Sequence, residues 1–224
     1  MKERLPREAI AMRVAKELFD GAVVNLGIGI PTLVSNFISE RITVFFQTEN
    51  GALGFGPVLG QEEFKKKADI DFINAGGQYL TPLKGMCFFD SVQSFAMIRG
   101  GHIDITVLGA IEVSKNGDLA NWMIPSRGVG NIGGGMDLAQ NAKKVIVAME
   151  HVTKDGKPKI VNECKAPLTA PKCVKLIITD IAVIEVTPEG LMLKEIAPGW
   201  TIEEVQALTE PKLIISPELK EIEL

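Results

Sequence analysis

The sequence is poor in cysteine, histidine and aromatic residues: 3 Cys, 2 His, 1 Tyr and 2 Trp in 224 residues. The cysteines, at 87, 164 and 173, form no C-x-x-C pair. An odd set in a chain this long argues against a disulfide framework and for a reducing compartment. His102 and His151 have no ligand-like spacing to each other or to a cysteine, and H-E-x-x-H is absent, so no metal centre is expected. Without G-x-S-x-G, a Ser-His-Asp hydrolase lacks its signature. Without GxxxxGK[ST], a P-loop NTPase lacks its phosphate cradle. Basic residues are in deficit, with 24 Lys plus Arg against 28 Asp plus Glu and a net charge of −4. That sign opposes nucleic acid and acidic membrane surfaces. The single basic cluster, Lys65-Lys66-Lys67, reads as a solvated face. The charge-free run Gly21 to Ser39 is broken by Asn25, Gly27, Gly29, Pro31 and Asn36, so it is no membrane span. The start MKERLPRE is too charged for a signal peptide, and a cytoplasmic location is expected. No linker, repeat or low-complexity tract interrupts residues 1–224, which are expected to form a single domain. A chain of this length buries roughly 70–75% of its unfolded surface and needs no disulfide to hold a core.

What is present alternates between strand and helix patterns. Pro6 opens a helix with Ile10, Val14 and Leu18 on one face, and Gly21 stands where a C-terminal cap would. AVVNLGIG (22–29) reads as a buried strand entering a Gly-rich turn, with Pro31 opening a helix through PTLVSNFIS. Further strands are expected at 42–47, 70–74, 102–113 and 143–149, and helices after Asp90 or Ser91 and over 136–142. Asn116-Gly117 signals a hairpin, and residues 176–186 and 191–196 pair around Glu189-Gly190. Thr201 and Glu204 form a capping box for a helix through Leu208. This order predicts an α/β fold: an open, mostly parallel α/β/α sheet with some antiparallel hairpins toward the C-terminus.

Four features invite chemistry. Gly27-x-Gly29 lies between a strand and a helix, where free N–H groups receive anions; it equally describes a tight turn, and it lacks the remainder of a dinucleotide fingerprint. TENGALGFGP (48–57) puts Glu49 at a strand's carboxyl end among Gly, Leu and Phe, where lost hydration sharpens a carboxylate as nucleophile or base. The same Asn50-Gly51 also spells a hairpin turn with a solvated flanking Glu. GVGNIGGGMDL (128–138) frees backbone N–H groups for an oxyanion before a helix, or forms a surface loop. Each His reads as structural, and Cys87 as a small core residue.

Taken together, these segments resemble the family I CoA-transferases, and within them the B (beta) chain of a 3-oxoacid CoA-transferase. NLGIGIPT, FQTENGALGFGP, SFAMIRGGHIDITVLGA, NGDLANWMIP, GGGMDLAQNAKKVIVAMEH and KAPLTAPKCVKLIITDIAV follow the family in order, from about residue 7 to about 220. The resemblance implies CoA transfer between a short acyl-CoA and a 3-oxoacid such as acetoacetate, through a glutamyl-CoA thioester on Glu49. It places an oxyanion donor at the backbone N–H of Gly134. It assigns Asn25, Gly27, Gly29, Asn50, Gly51, Gly76, Gly77 and Gly133 to contacts with substrate and CoA. No permanently bound cofactor is implied, coenzyme A entering as substrate. The family's alpha (A) chain is implied as partner, in an assembly expected to hold two A and two B chains. Thr48 replaces the family's usual Ser, Gly135 a frequent Ala, and Gly76-Gly77-Gln78 stand where some relatives carry a CoA-contacting Lys. A sugar-phosphate isomerase or deaminase, and an anion sensor on a related fold, remain the competing readings; neither requires TENG beside the GGGMD loop.

Overall fold

The computed structural model describes residues 2–59, 69–124, 128 and 130–224. The Lys65-Lys66-Lys67 cluster lies outside the described residues, as do Val129 of the Gly-rich loop and Pro125 of NGDLANWMIP. Helix α1 spans Arg7–Ala15 with Pro6 as its N-cap, in extended conformation. It ends earlier than its pattern suggests. Glu17 and Leu18 donate to carbonyls three residues back, tightening the chain out of the helix. Gly21, at φ +80°, belongs to the turn before the first strand and is not the helix cap.

Among the described residues, ten strands form one sheet in the order β13-β12-β11-β10-β8-β5-β1-β2-β3-β4. They are β1 Val23–Leu26, β2 Phe45–Thr48, β3 Ala52–Phe55, β4 Cys87–Phe88, β5 Ile105–Leu108, β8 Lys144–Met149, β10 Val174–Thr179, β11 Ala182–Thr187, β12 Gly190–Ile196 and β13 Ile214–Glu221. The central run from β10 to β2 is parallel throughout. The hairpin expected around Glu189-Gly190 is present as antiparallel β11–β12, but 176–186, read as one strand, is two: the chain turns between Thr179 and Ala182, and β10 pairs antiparallel with β11. A second antiparallel set, β2–β3–β4, closes the opposite edge. A smaller sheet joins β6 Glu112–Ser114, β7 Leu119–Ala120 and β9 Ile160–Val161.

Strand alternation sends side chains to two apolar layers. Along β8, Ile146 and Ala148 join Ile10 and Val14 of α1, while Val145, Val147 and Met149 join Ile98 and Leu138 on the other side. Those two residues come from α3 Ser91–Arg99 and α4 Gly135–Asn141. Burying each such aliphatic side chain contributes about 1.5–3 kcal/mol. Asp90 caps α3 by accepting from the Gln93 N–H, and Thr201 with Glu204 caps α5 Ile202–Ala207, both as the sequence predicts.

Four further local expectations are corrected. The strand expected at 102–113 is two strands in two sheets. After Leu108 the chain leaves at Gly109, whose carbonyl accepts from the Asn121 side chain, and resumes as β6. Among the described residues, 70–74 make only one bridge, Ile73 to Tyr79. Asp69 there accepts from the Asp71 N–H, and the Asn74 side chain accepts from Gly76 and Gln78 just beyond, so side-chain-held turns close the segment at both ends. PTLVSNFIS gives only the turn α2 Ile30–Leu33 and a 3₁₀ turn Val34–Phe37. Cys87, expected in the core, is exposed on the edge strand β4.

Candidate active site

β1, β2 and β5 end side by side, and their carboxyl ends open into a cleft of about 350 Å³. At the end of β2 the chain turns through Glu49, Asn50 and Gly51 into β3. The hairpin reading of Asn50-Gly51 is therefore correct: Gly51 has φ +111° and donates to the Thr48 carbonyl at 2.9 Å. A Cβ at Gly51 would stand 1.9 Å from the Phe89 carbonyl oxygen, so only glycine fits. Glu49 is nevertheless not a solvated turn residue. Its side chain is half-buried and reaches the Gly-rich loop, where the Gly134 N–H donates to Oε1 at 3.4 Å. Gly134 is the N-cap of α4, so this donor belongs to a helix start with free amides. The turn and the placement of Glu49 in the cleft are one feature.

Thr48 fixes the other wall. Its hydroxyl donates to Asn50 Oδ1 at 2.8 Å and accepts from the Ala75 N–H at 2.9 Å. Asn50 Nδ2 in turn donates to the Ile73 carbonyl at 2.8 Å. The segment Asn74–Gly76 is thereby strapped to the turn that carries Glu49.

Of the residues singled out from sequence, Asn25, Gly27, Glu49, Gly76, Gly133 and Gly134 line the cleft. Gly29, Asn50, Gly51 and Gly77 do not: Gly29 and Gly77 hold positive φ in turns, and Asn50 and Gly51 build the hairpin. Phe55 lines it, whereas Trp122 does not and donates its indole N–H to the Leu168 carbonyl. Sequence reasoning missed Gln47, Asn74, Asn121 and Asn131. The clue for Gln47 was a buried-type strand position occupied by an amide.

Other titratable groups sit away from the cleft. His151 is fully buried between the hydroxyls of Thr179 and Thr209, and burial pushes it down to about 3, with Arg4 and Lys159 adding to the effect. Burial pushes the Cys164 thiol up to about 12 and that of Cys173 up to about 11. Among the described residues no group of His, Cys, Asp and Glu is arranged to hold a metal ion, and no helix is long and apolar enough to cross a membrane.

Comparison with known proteins gives the family and the fold. Residues 7–208 match the coenzyme A transferase family. The chain is 50% identical over 204 residues to the B chain of the succinyl-CoA:3-ketoacid coenzyme A transferase of Helicobacter pylori, covering 91% of this chain and 96% of that one. It is 52% identical over 216 residues to the mitochondrial succinyl-CoA:3-ketoacid coenzyme A transferase 2A of Rattus norvegicus, covering 96% of this chain but only 41% of that longer one. The fold matches an acyl-CoA transferase apoenzyme of Escherichia coli O157:H7 with a TM-score of 0.77 at 22% identity, over all of this chain and 45% of that one. The chain belongs to the coenzyme A transferase family. Within it, the chain is of the beta type.

Proposed function

We propose that the chain carries the nucleophile of a ping-pong transfer of CoA between a short acyl-CoA and a 3-oxoacid such as acetoacetate, working with an alpha (A) chain in a hetero-oligomer of two A and two B chains. The Glu49 carboxylate attacks the thioester carbonyl, and CoA leaves as thiolate, giving a mixed anhydride between Glu49 and the acyl group. The thiolate then attacks the glutamyl carbonyl, releasing the acyl group as a free carboxylate and leaving a Glu49–CoA thioester. The acceptor acid runs both steps in reverse. One thioester is consumed and one is formed overall, so no nucleotide hydrolysis is required. Each acyl step passes through an oxyanion, for which a placed donor is worth about 2.7–4 kcal/mol.

The observation that carries this reading is the Gly134 N–H directed at Glu49 Oε1 at 3.4 Å. That amide, at a helix start, stands where charge develops on the glutamyl carbonyl. A second donor is assigned to the alpha chain. Asn25, Gly27, Gly76 and Gly133 are assigned to substrate contact from the cleft wall, and Gly29, Asn50, Gly51 and Gly77 to shaping the loops behind it. Buried Phe55 helps keep water from the intermediate. CoA is a substrate here and no resident cofactor is proposed. The unpaired thiols support a reducing, cytoplasmic setting.

The test uses the chain co-purified with its alpha partner. Acetoacetyl-CoA is added, small molecules are removed quickly, and the peptide containing Glu49 is weighed. A CoA-sized adduct on Glu49 is expected. No adduct, with the acyl-CoA unconsumed, overturns the reading.

A further inference from the structure

Three polar side chains stand in register across the middle of the sheet: Thr106 on β5, Asn25 on β1 and Gln47 on β2. All three are buried, and Val24, Phe46, Ile105 and Val107 beside them belong to the apolar core of the other face. Thr106 Oγ1 has no hydrogen-bond partner among the described residues. The other two begin a continuous chain of hydrogen bonds. Asn25 Nδ2 donates to Gln47 Oε1 at 2.7 Å, and Gln47 Nε2 donates to Ser94 Oγ at 2.7 Å. The Ser94 hydroxyl donates to the Thr48 carbonyl at 3.2 Å. Ser94 is fully buried on α3.

Stability alone does not call for such a chain. Replacing both partners of a buried hydrogen bond by apolar groups of the same shape is nearly neutral, while leaving one partner unmet costs about 1–3 kcal/mol. What the chain does is fix direction. It ends on the carbonyl of the residue before Glu49. The next residue on α3, Phe95, braces the other half of the site, because a Cβ at Gly134 would stand 3.3 Å from its ring. One helix thus holds the nucleophile's strand through Ser94 and abuts the donor loop through Phe95.

We infer that Gln47 and Ser94 are positioning residues that set where the Glu49 carboxylate stands relative to the Gly134 N–H. This rests on Glu49 being the nucleophile. The 3.4 Å separation of Gly134 N from Oε1 is already beyond the usual range for such a bond, so little displacement is tolerated. A misplacement of about 1 Å can cost a hundredfold in rate. Neither Gln47 nor Ser94 needs to touch the reacting atoms to act this way.

Ser94→Ala and Gln47→Met, singly and together, test it in the assembled complex with the alpha chain. The measurements are the single-turnover rate of Glu49 adduct formation, KM for acyl-CoA, and melting temperature. The expected result is an adduct rate about ten- to a hundredfold lower with KM within about twofold. The double variant should be no slower than the slower single one, as for residues acting as a unit. Either folded variant forming adduct at the unsubstituted rate overturns the inference, as does a raised KM with the rate unchanged. Should Ser94→Ala fail to assemble, Gln47→Met, close in volume to the native side chain, decides by the same readout. Absence of any Glu49 adduct in the unsubstituted complex is a different outcome, because it removes the nucleophile itself and the role of both residues with it.

Discussion

A methyl group on Gly134 would stand 2.2 Å from Oε2 of Glu49 and 3.0 Å from its Cδ. The two residues are 85 apart in sequence, yet one has no side chain because the other's carboxylate fills the space. The backbone of Gly134, at φ −83° and ψ 9°, is open to any residue. Gly134→Ala should therefore leave the melting temperature within a few degrees while lowering transfer at least about a hundredfold, the carboxylate being pushed off its donor. Paired thermal and single-turnover measurements check this. Wild-type turnover in that variant would mean that Glu49 does not work from this position.

Gly51→Ala should fail in the opposite way. There the positive φ and the Phe89 carbonyl 1.9 Å away are both intolerant of a Cβ. Backbone strain of about 1–3 kcal/mol adds to the clash, so soluble yield and urea midpoint should fall before activity is considered.

Glu49→Ala and Glu49→Gln should abolish adduct formation with assembly intact, as judged by size-exclusion chromatography. Glu49→Asp should lose at least about a hundredfold as well, because one missing methylene withdraws the carboxylate beyond near-attack distance. Near-normal turnover in any of the three would remove Glu49 from the chemistry.

Thr48 separates hydroxyl from shape. Thr48→Ser keeps the bonds to Asn50 and Ala75 and should remain close to wild type, whereas Thr48→Val leaves the Ala75 N–H unmet. The cost of about 1–3 kcal/mol should be felt in the strapped segment Asn74–Gly76, raising KM for acyl-CoA more than it lowers kcat. Equal kinetics for the two variants would show that the strap is dispensable.

His151 gives the chain an acid-sensitive stability. Burial holds it neutral down to about 3 in the folded state, against an ordinary value of 6.5 when unfolded. Below 6.5 the unfolded chain binds a proton that the folded chain refuses, so stability falls with pH by up to about 1.4 kcal/mol per unit. Glu17 and Glu150, held below their ordinary 4.5 by Lys144, Arg13 and Arg7, lose stabilising charge only in more acidic solution. Urea midpoints between pH 6.5 and 5 therefore isolate the histidine, and His151→Gln should flatten that slope. An unchanged slope would refute the assignment.

Much of the sheet was legible because its strands are buried on both faces and read as continuous apolar runs, such as 143–149. The caps at Asp90 and Thr201 were legible because they are local, a side chain meeting an amide three residues on. Misreadings arose where tertiary demands intervened. Gly109 ends a strand whose apolar pattern continues to Val113, because the chain must bend there to wall the cleft. At 70–74, the side chains of Asp69 and Asn74 close turns at both ends of the expected strand. In the site, Glu49 and Gly134 emerged from their family resemblance, and their meeting is visible only in three dimensions. Gln47 and Ser94 remained hidden since single polar residues inside apolar segments carry no local signal for what they bond.

The edge strand β4 has a practical use. Cys87 lies open to solvent there, pairing with Leu53 on the strand that leaves the Glu49 turn, while the other two thiols are half-buried and held protonated. A maleimide dye at neutral pH should therefore label one site first, without any engineered cysteine. It would place a reporter on the hairpin that bears Glu49, where docking of a partner chain or filling of the cleft would register as a change in its emission.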